Sequence, residues 1–380
     1  MMTSLSFGKL VDVKNDIIIG FASDLQIDPK RIQNFYRQNW KRQIALSDPR
    51  FYDWQFIKAP AGKDQDHCVV ALAGTEIAGV MGANPRMFDL NRSERRGAEL
   101  TTWIVSDQYR GLKIGSTIID FLQSHYDVLL GAGITAAALP LYLKAGFQYL
   151  RALPRLIRVY HPERIALCLK LDKLGDDLIA LRRNWVQTPV LPYKELRPEI
   201  DQIDKIYSSI SSRYHLFSRN GMNWHWRYSD HPYFLYESYL LQNESGQVLL
   251  SVRVDTLPND AKVLRIMDVL GDECMTSSVL DFIDKLASRK CIAIADFFCT
   301  ASPLLGAFRA GGWFSILDED CVQFPHLFSP IEMRDPPTTS LILWSSDQKA
   351  LLMDFSKLYV SKGDVDLDRP TMEDIHQYVS

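Results

Sequence analysis

Residues 109–116 read Tyr-Arg-Gly-Leu-Lys-Ile-Gly-Ser and bring two glycines and two cations to the start of a helical run. They follow a strand-like stretch, Glu99 to Val105, and open one in which Ile114, Ile118, Phe121 and Leu122 share a face. At such a junction the first-turn N–H groups have no partner inside the helix and point outward. Glycines let the backbone come close to a ligand, and Arg110 and Lys113 set positive charge beside it. Together these features suit a pyrophosphate. The loop lacks both the Gly-Lys-Ser/Thr of a Walker loop and the Gly-x-Gly-x-x-Gly of dinucleotide folds. The residues expected around the phosphates are Arg110, Gly111, Leu112, Lys113, Ile114, Gly115 and Ser116.

The elements around this loop narrow the reading. Upstream stands Ala-Glu-Leu-Thr-Thr-Trp-Ile-Val (98–105). Downstream come an apolar strand, Val128 to Leu130, and then Ala-Leu-Pro-Leu-Tyr-Leu-Lys-Ala-Gly-Phe (138–147). This order over residues 68–150 resembles the GNAT acetyltransferase superfamily, whose donor motif reads Arg/Gln-x-x-Gly-x-Gly/Ala. Arg110 and Gly115 match that motif, and Gly111 matches a frequent extra glycine. Lys113 stands where the family usually has its middle glycine, and Thr135 where it often has Asn. The resemblance implies acetyl-CoA as co-substrate, with no metal or prosthetic group. It also implies that main-chain groups of Trp103, Ile104 and Val105 align the pantetheine and polarise the thioester. Tyr142 then corresponds to the proton donor for the departing thiolate; its alternative role is helix packing.

Acyl transfer to an amine requires the amine to lose a proton. With lysine's pKa of about 10.4 as a guide, an aliphatic amine is mostly protonated at neutral pH. Glu99, on the strand leading into the loop, is the candidate base, directly or through water; its alternative role is to pair a buried arginine.

The chain also repeats itself. Trp54-Gln-Phe-Ile-Lys-Ala-Pro60 parallels Trp226-Arg-Tyr-Ser-Asp-His-Pro232, and each is followed by a hairpin pattern, a strand, an amphipathic helix and a second strand. Both copies close on Ala-Gly, at 145–146 and 310–311. The expected architecture is α/β (α+β): two tandem GNAT-like domains, each a mixed, largely antiparallel sheet flanked by helices. Their boundaries are set at 1–165 for the domain with the acetyl-CoA loop, 166–189 for a linker, and 190–380 for a degenerate domain. Opposite the donor loop, the second copy carries Asp-Glu-Cys-Met-Thr (272–276), two carboxylates and no glycine, which repel a pyrophosphate. One donor site per chain is expected. The second domain then either stabilises the first or walls the acceptor site, with Trp226 and Tyr228 as substrate-binding candidates beside Trp224 and Tyr233.

Composition sets the remaining bounds. The 380 residues are 47% hydrophobic and carry a net charge of −3, which argues against nucleic acid as a partner. No apolar window reaches the length of a membrane span, and the cysteines show no Cys-x-x-Cys pair, so a cytoplasmic protein with free, mostly buried thiols is expected. The histidines lack metal-site spacing. Asp364-Val-Asp-Leu-Asp368-Arg-Pro is read as a solvated acidic turn, since Arg369 stands where a calcium loop needs glycine.

For the acceptor, the duplicated form, Trp226-x-Tyr-x-x-His-Pro and Gly363-Asp-x-Asp-x-Asp-Arg-Pro370 resemble GNAT proteins of bacterial surface-polysaccharide pathways. They imply a small-molecule amine, an amino sugar or its nucleotide-linked form. An amino-acid or peptide N-acyltransferase and a non-catalytic CoA-binding or assembly protein are the alternatives; the oligomeric state is left open.

Overall fold

The computed structural model describes residues 4–6, 9–12, 17–40, 44–169, 190–257, 259–317, 323–328, 331–347, 349–365 and 369–379. Most of the expected linker, 170–189, lies outside them.

In the first half, strands β1 (Ser4–Ser6), β2 (Lys9–Asp12) and β3 (Ile17–Phe21) precede helices α1 (Pro29–Asn39) and α2 (Pro49–Tyr52). Then come β4 (Val69–Ala73), β5 (Glu76–Leu90) and β6 (Ser93–Val105), α3 (Ile114–His125), β7 (Val128–Ala132), α4 (Leu139–Lys144) and β8 (Gln148–Leu150). The β5–β6 hairpin turns on Asn91 and Arg92, both at positive φ (52° and 62°), as a two-residue loop between right-twisted strands requires. Asp28 caps α1 by accepting from the Lys30 N–H, with Pro29 opening the helix. Ile118, Phe121 and Leu122 of α3 are buried against the sheet, as their spacing predicts.

Next come β9 (Arg155–Val159), β10 (Lys194–Leu196), β11 (Leu216–Phe217), β12 (Glu237–Asn243), β13 (Gly246–Thr256), β14 (Lys262–Gly271), β15 (Ile292–Phe298) and β16 (Phe314–Ser315). A small hairpin, β17 (Leu327–Phe328) with β18 (Ile331–Glu332), and a last strand, β19 (Leu341–Ser345), complete the set. Two large mixed sheets result, ordered β1-β2-β3-β4-β5-β6-β7-β19-β8 and β10-β12-β13-β14-β15-β9-β16.

These orders contain a reciprocal exchange. After β8 the chain leaves the first sheet, and β9 inserts antiparallel between β15 and β16. After β16, β19 crosses back and inserts antiparallel between β7 and β8. The expected boundary at residue 165 therefore cuts across the sheets: residues 155–159 belong to the second and 341–345 to the first. Strand pairing is satisfied equally by an edge from either half.

The repeated tryptophans meet at the junction. Trp54 and Trp226 stack with centroids 5.1 Å apart, and each indole N–H donates to the other residue's carbonyl oxygen at 2.9 Å. Matched residues thus contact each other across a local pseudo-twofold, which the duplication predicts. Of the described cysteines, all free, Cys68 and Cys299 are buried whereas Cys274 and Cys291 are exposed, so burial holds only in part.

Candidate active site

The donor loop folds as a short 3-10 turn, Asp107–Tyr109, then a four-residue turn, 110–113, that leads into α3. The first α-helical bond of α3 runs from the Thr117 N–H to the Lys113 carbonyl, which leaves the N–H groups of Ile114, Gly115 and Ser116 at its open end. Gly111 has φ +87° with open space around it. Lys113, where the family has glycine, adopts the same left-handed region at φ +61°. The lysine thus preserves the glycine's backbone path while adding a charge. Arg110 pairs with exposed Asp107 at 2.6 Å, a weak surface contact that a phosphate can displace. Gly115 has a second reason to be small: a Cβ there would lie 2.5 Å from Trp103 Cζ2. Leu112 is exposed, while the Ile114 side chain is buried, so Ile114 offers only its main chain.

Beyond the loop the sheet opens. β6 and β7 run parallel and paired from Gly97 with Val128 to Leu100 with Gly131, and then pairing stops. Between the parted strands lies a cleft of about 770 Å³ lined by Leu100 to Trp103 of β6 and Ala132 to Thr135 after β7. That volume falls within the range that holds a ligand. Tyr142 lines the cleft, 96% shielded by the residue's own accessibility, with its ring edge-on to Trp103 (5.3 Å) and Phe147 (5.0 Å). Burial raises its hydroxyl pKa, so it stays protonated and available to a thiolate. Of the three strand residues expected at the pantetheine, Trp103 lines the cleft. Ile104 and Val105 pair with Val80 and Gly79 of β5 and turn their side chains into the core.

Within β6 a bulge leaves Thr102 without a partner between Met81–Trp103 and Gly82–Thr101, at φ +27°. The Tyr36 hydroxyl donates to the Thr102 carbonyl at 3.3 Å, and the Arg369 guanidinium donates to both the Thr101 and Thr102 hydroxyls.

Glu99 sits opposite Asn84 of β5, on the face away from α3. It lines a separate inner cavity of about 20 Å³ with Gln55, Asn84, Arg86, Trp226 and Arg227, room for about one water. Gln55 Oε1 and Asn84 Oδ1 are buried there without partners, while Asn84 Nδ2 donates to Glu99 at 3.3 Å. Burial pushes the Glu99 carboxyl up to about 7, against the lowering influence of Arg86, Arg227, Asn84 and Arg369. Glu99 therefore faces this inner cavity and is not among the residues that line the large cleft. The arginine-pairing alternative is partly met: Arg86 forms its ion pair with Asp364 at 3.1 Å, but its charge acts on Glu99.

Trp226 and Tyr228 do not line the large cleft. Trp226 is buried against Trp54, and the Tyr228 hydroxyl donates to buried Asp268 at 2.8 Å. Trp226 joins the two halves, whereas Tyr228 packs within the second. Trp224 donates to Ser238, and Tyr233 to Asp48. The wall opposite the donor strand comes instead from Trp40, Ile44, His326, Glu332, Arg334 and the segment from Arg369 to His376.

The second half is closed at the matching place; a cavity of about 540 Å³ lies elsewhere in it, lined by Trp224, Tyr228 and Phe234 to Tyr239. The Asp268 carboxylate, on β14, accepts from Arg219, Tyr228, Tyr359 and Ser361, and the Tyr359 hydroxyl bridges the Val269 main chain. The space beside residues 271–276 is about 20 Å³. Asp272 accepts from the Gln247 N–H, and Glu273 from the Tyr214 hydroxyl. Asp364 is likewise buried, not a solvated turn: Arg219 and Arg86 outweigh its burial and hold its carboxyl below the usual range. Asp366 and Asp368 lie outside the described residues. Among the described residues, no three His, Cys, Asp or Glu side chains gather as a metal site, and no helix is long and apolar enough to cross a membrane.

A parted parallel strand pair accompanies a glycine-bearing loop at a helix start and a buried tyrosine, the last two being features that the sequence leads one to expect of an acyltransferase. Residues 30–147 match the model of the acetyltransferase (GNAT) family; the chain carries a GNAT domain and is an acyltransferase. A comparison of the sequence with curated proteins finds no match. Among solved structures, N-myristoyltransferase of Saccharomyces cerevisiae with bound myristoyl-CoA superimposes with a TM-score of 0.52 at 12% identity, over 90% of this chain and 84% of that one. A GCN5-related N-acetyltransferase from Anabaena variabilis gives 0.51 at 14%, over 86% and 72%. At these identities the likeness is one of fold, and it extends over both halves.

Proposed function

We propose that the protein transfers an acetyl group from acetyl-CoA to the primary amine of a small molecule in the cytoplasm, with an amino sugar or its nucleotide-linked form as acceptor. The observation that carries this acyl-transfer reading is the cleft between β6 and β7, with Tyr142 and Trp103 in its wall and Trp103 packed against Gly115 of the donor loop. In this reading the pyrophosphate rests on the N–H groups of residues 114–116, with Arg110 and Lys113 beside it. The pantetheine follows the free edge of β6. Glu99 takes the amine proton through a water, and Tyr142 protonates the departing thiolate. The amino-sugar assignment rests on the sequence likeness alone. Glu332 and Glu373 on the cleft wall suit a cationic amine. Release of CoA thiol from acetyl-CoA, measured over a panel of amino sugars, UDP-linked amino sugars, amino acids and peptides, tests it. Turnover confined to amino acids or peptides would replace the acceptor, and binding without turnover would replace the enzyme.

A longer acyl group is the second reading. The cleft is larger than an acetyl group needs, and Trp40, Ile44, Ala45, Leu327 and Met372 give it an apolar side. The yeast structure holding myristoyl-CoA shares the fold. An acyl-CoA series from two to fourteen carbons separates the two, by whether kcat/KM falls or rises with chain length.

A further inference from the structure

Thr102 is a β-branched residue at φ +27°, a backbone conformation that side chains of its kind rarely adopt. Such a residue persists where its surroundings over-determine it. Two groups do so here, and both come from distant chain. The Tyr36 hydroxyl, from α1, donates to the Thr102 carbonyl oxygen. The Arg369 guanidinium donates to the hydroxyls of Thr101 and Thr102 from a position 267 residues later in the sequence. Arg369 and its neighbour Pro370 line the cleft alongside Thr101, Thr102 and Trp103. The bulge falls two residues past the last β6–β7 pair, and Thr102 lines the cleft there.

We propose that Arg369, delivered by the terminal segment of the second half, is a positioning residue of the first half's acyl-transfer centre: it pins the Thr102 bulge so that β6 presents its main chain to the thioester. This rests on the reading that acyl transfer occurs in this cleft. One guanidinium nitrogen, Nη2, meets both hydroxyls at once, at the end of a planar group that a lysine ammonium on its shorter side chain does not place in the same geometry. The guanidinium has a second effect through its charge. Glu99 is faced by Asn84 and Arg86 from β5, by Arg227 from the helix Gly221–Tyr228, and by Arg369. Removing Arg369 removes one of the cations favouring the ionised carboxylate, so the Glu99 pKa rises and the acid limb of the rate profile moves to higher pH.

The test compares Arg369→Gln, Arg369→Lys and Tyr36→Phe with the wild-type chain. CoA affinity is read by calorimetry, kcat and its pH profile by acetyl-CoA turnover with the best amine of the panel, and Thr102 φ by crystallography. Arg369→Gln should lose about 10²-fold in kcat, the scale of a small misplacement at a reacting centre, while CoA affinity stays within about threefold and Thr102 leaves φ +27°. Its acid limb should move to higher pH. Arg369→Lys should restore the limb but only part of kcat, and Tyr36→Phe should lower kcat without moving the limb. A folded Arg369→Gln with wild-type kcat and an unmoved Thr102 overturns the proposal. If the Gln variant does not fold, a Lys variant with full kcat overturns it equally. Should the wild-type chain turn over no amine, the acyl-transfer reading fails, and the crystal of the variant still decides whether Arg369 holds the bulge.

Discussion

A carboxyl pushed up to about 7 changes protonation in the range where an amine acceptor is mostly charged, so in the proposed reaction Glu99 would set the lower edge of useful pH. With ionised Glu99 as the proposed base, kcat/KM should climb through about pH 7 and level off above it. Glu99→Gln should lower kcat by roughly 10²–10⁴-fold and flatten that limb; a retained limb in the variant would move the base elsewhere. The sign for stability is opposite. Because the folded-state value lies above the ordinary 4.5, Glu99 favours folding most below that pH and loses the contribution as pH rises through about 7. The Gln variant should therefore gain stability relative to wild type between pH 5 and 8, read as the difference in urea midpoints. Tyr142→Phe keeps the packing on Trp103 and Phe147 and removes only the proton, so kcat should fall with KM and melting temperature nearly unchanged. At this scale the helix start after Lys113 was legible, because its signal is local: glycines, cations and an amphipathic run within a few residues. It did not show Arg369 at Thr102, although the motif ending in Arg369-Pro370 stood out, because no local pattern says where a side chain lands in space.

The helix start at Lys113 is where the proposed donor site meets an element of the fold. Lys113 holds a left-handed conformation that costs an ordinary L-residue roughly 1–2 kcal/mol. Lys113→Gly should recover part of that and raise the melting temperature by a few degrees, while weakening CoA through the lost charge; calorimetry at two salt concentrations should show a smaller salt dependence than in wild type. Gly115→Val acts differently. Its side chain meets the Trp103 indole, so CoA affinity should fall together with a change in tryptophan emission. Unchanged CoA binding in the folded variant would remove this loop from the donor site. Elements with strong local signals were legible: the hairpin at Gly74-Thr75 and the α3 face match their patterns. The partners of β9 and β19 were not. Runs such as Leu156 to Val159 or Leu341 to Trp344 announce a buried strand but carry no record of which sheet receives it. The paired tryptophans show the same limit: their equal spacing revealed the duplication, yet the rings stack on each other instead of lining an acceptor pocket.

Across the whole molecule the two halves divide the work unequally. One cleft is open at about 770 Å³ and its counterpart is closed around Asp268, Tyr228 and Tyr359 at about 20 Å³. Titration calorimetry should accordingly find one CoA per chain; two equivalent sites would contradict the closure. Asp364, clamped between Arg86 and Arg219, ties the terminal segment to both halves. Asp364→Asn leaves buried arginines with an unmatched charge and should cost about 3–5 kcal/mol in urea unfolding. Because each sheet holds a strand from the other half, residues 1–169 alone should not fold. Co-expressed pieces divided within 170–189 should elute together and stay active. Separate elution of two folded pieces would show that the strands are dispensable.

The interleaving of strands also bears on when the enzyme comes to exist during its own synthesis. A nascent chain that has reached residue 150 carries β7 and β8 but has no β19 to seat between them. At roughly 5–20 residues per second, the missing strand follows about 10–40 seconds later. The arginine that braces Thr102 emerges later still. A message cut short or a ribosome that stalls therefore yields no partial catalyst able to spend acyl-CoA. The unfinished sheet edge marks such a product for the proteases and chaperones that recognise exposed strands.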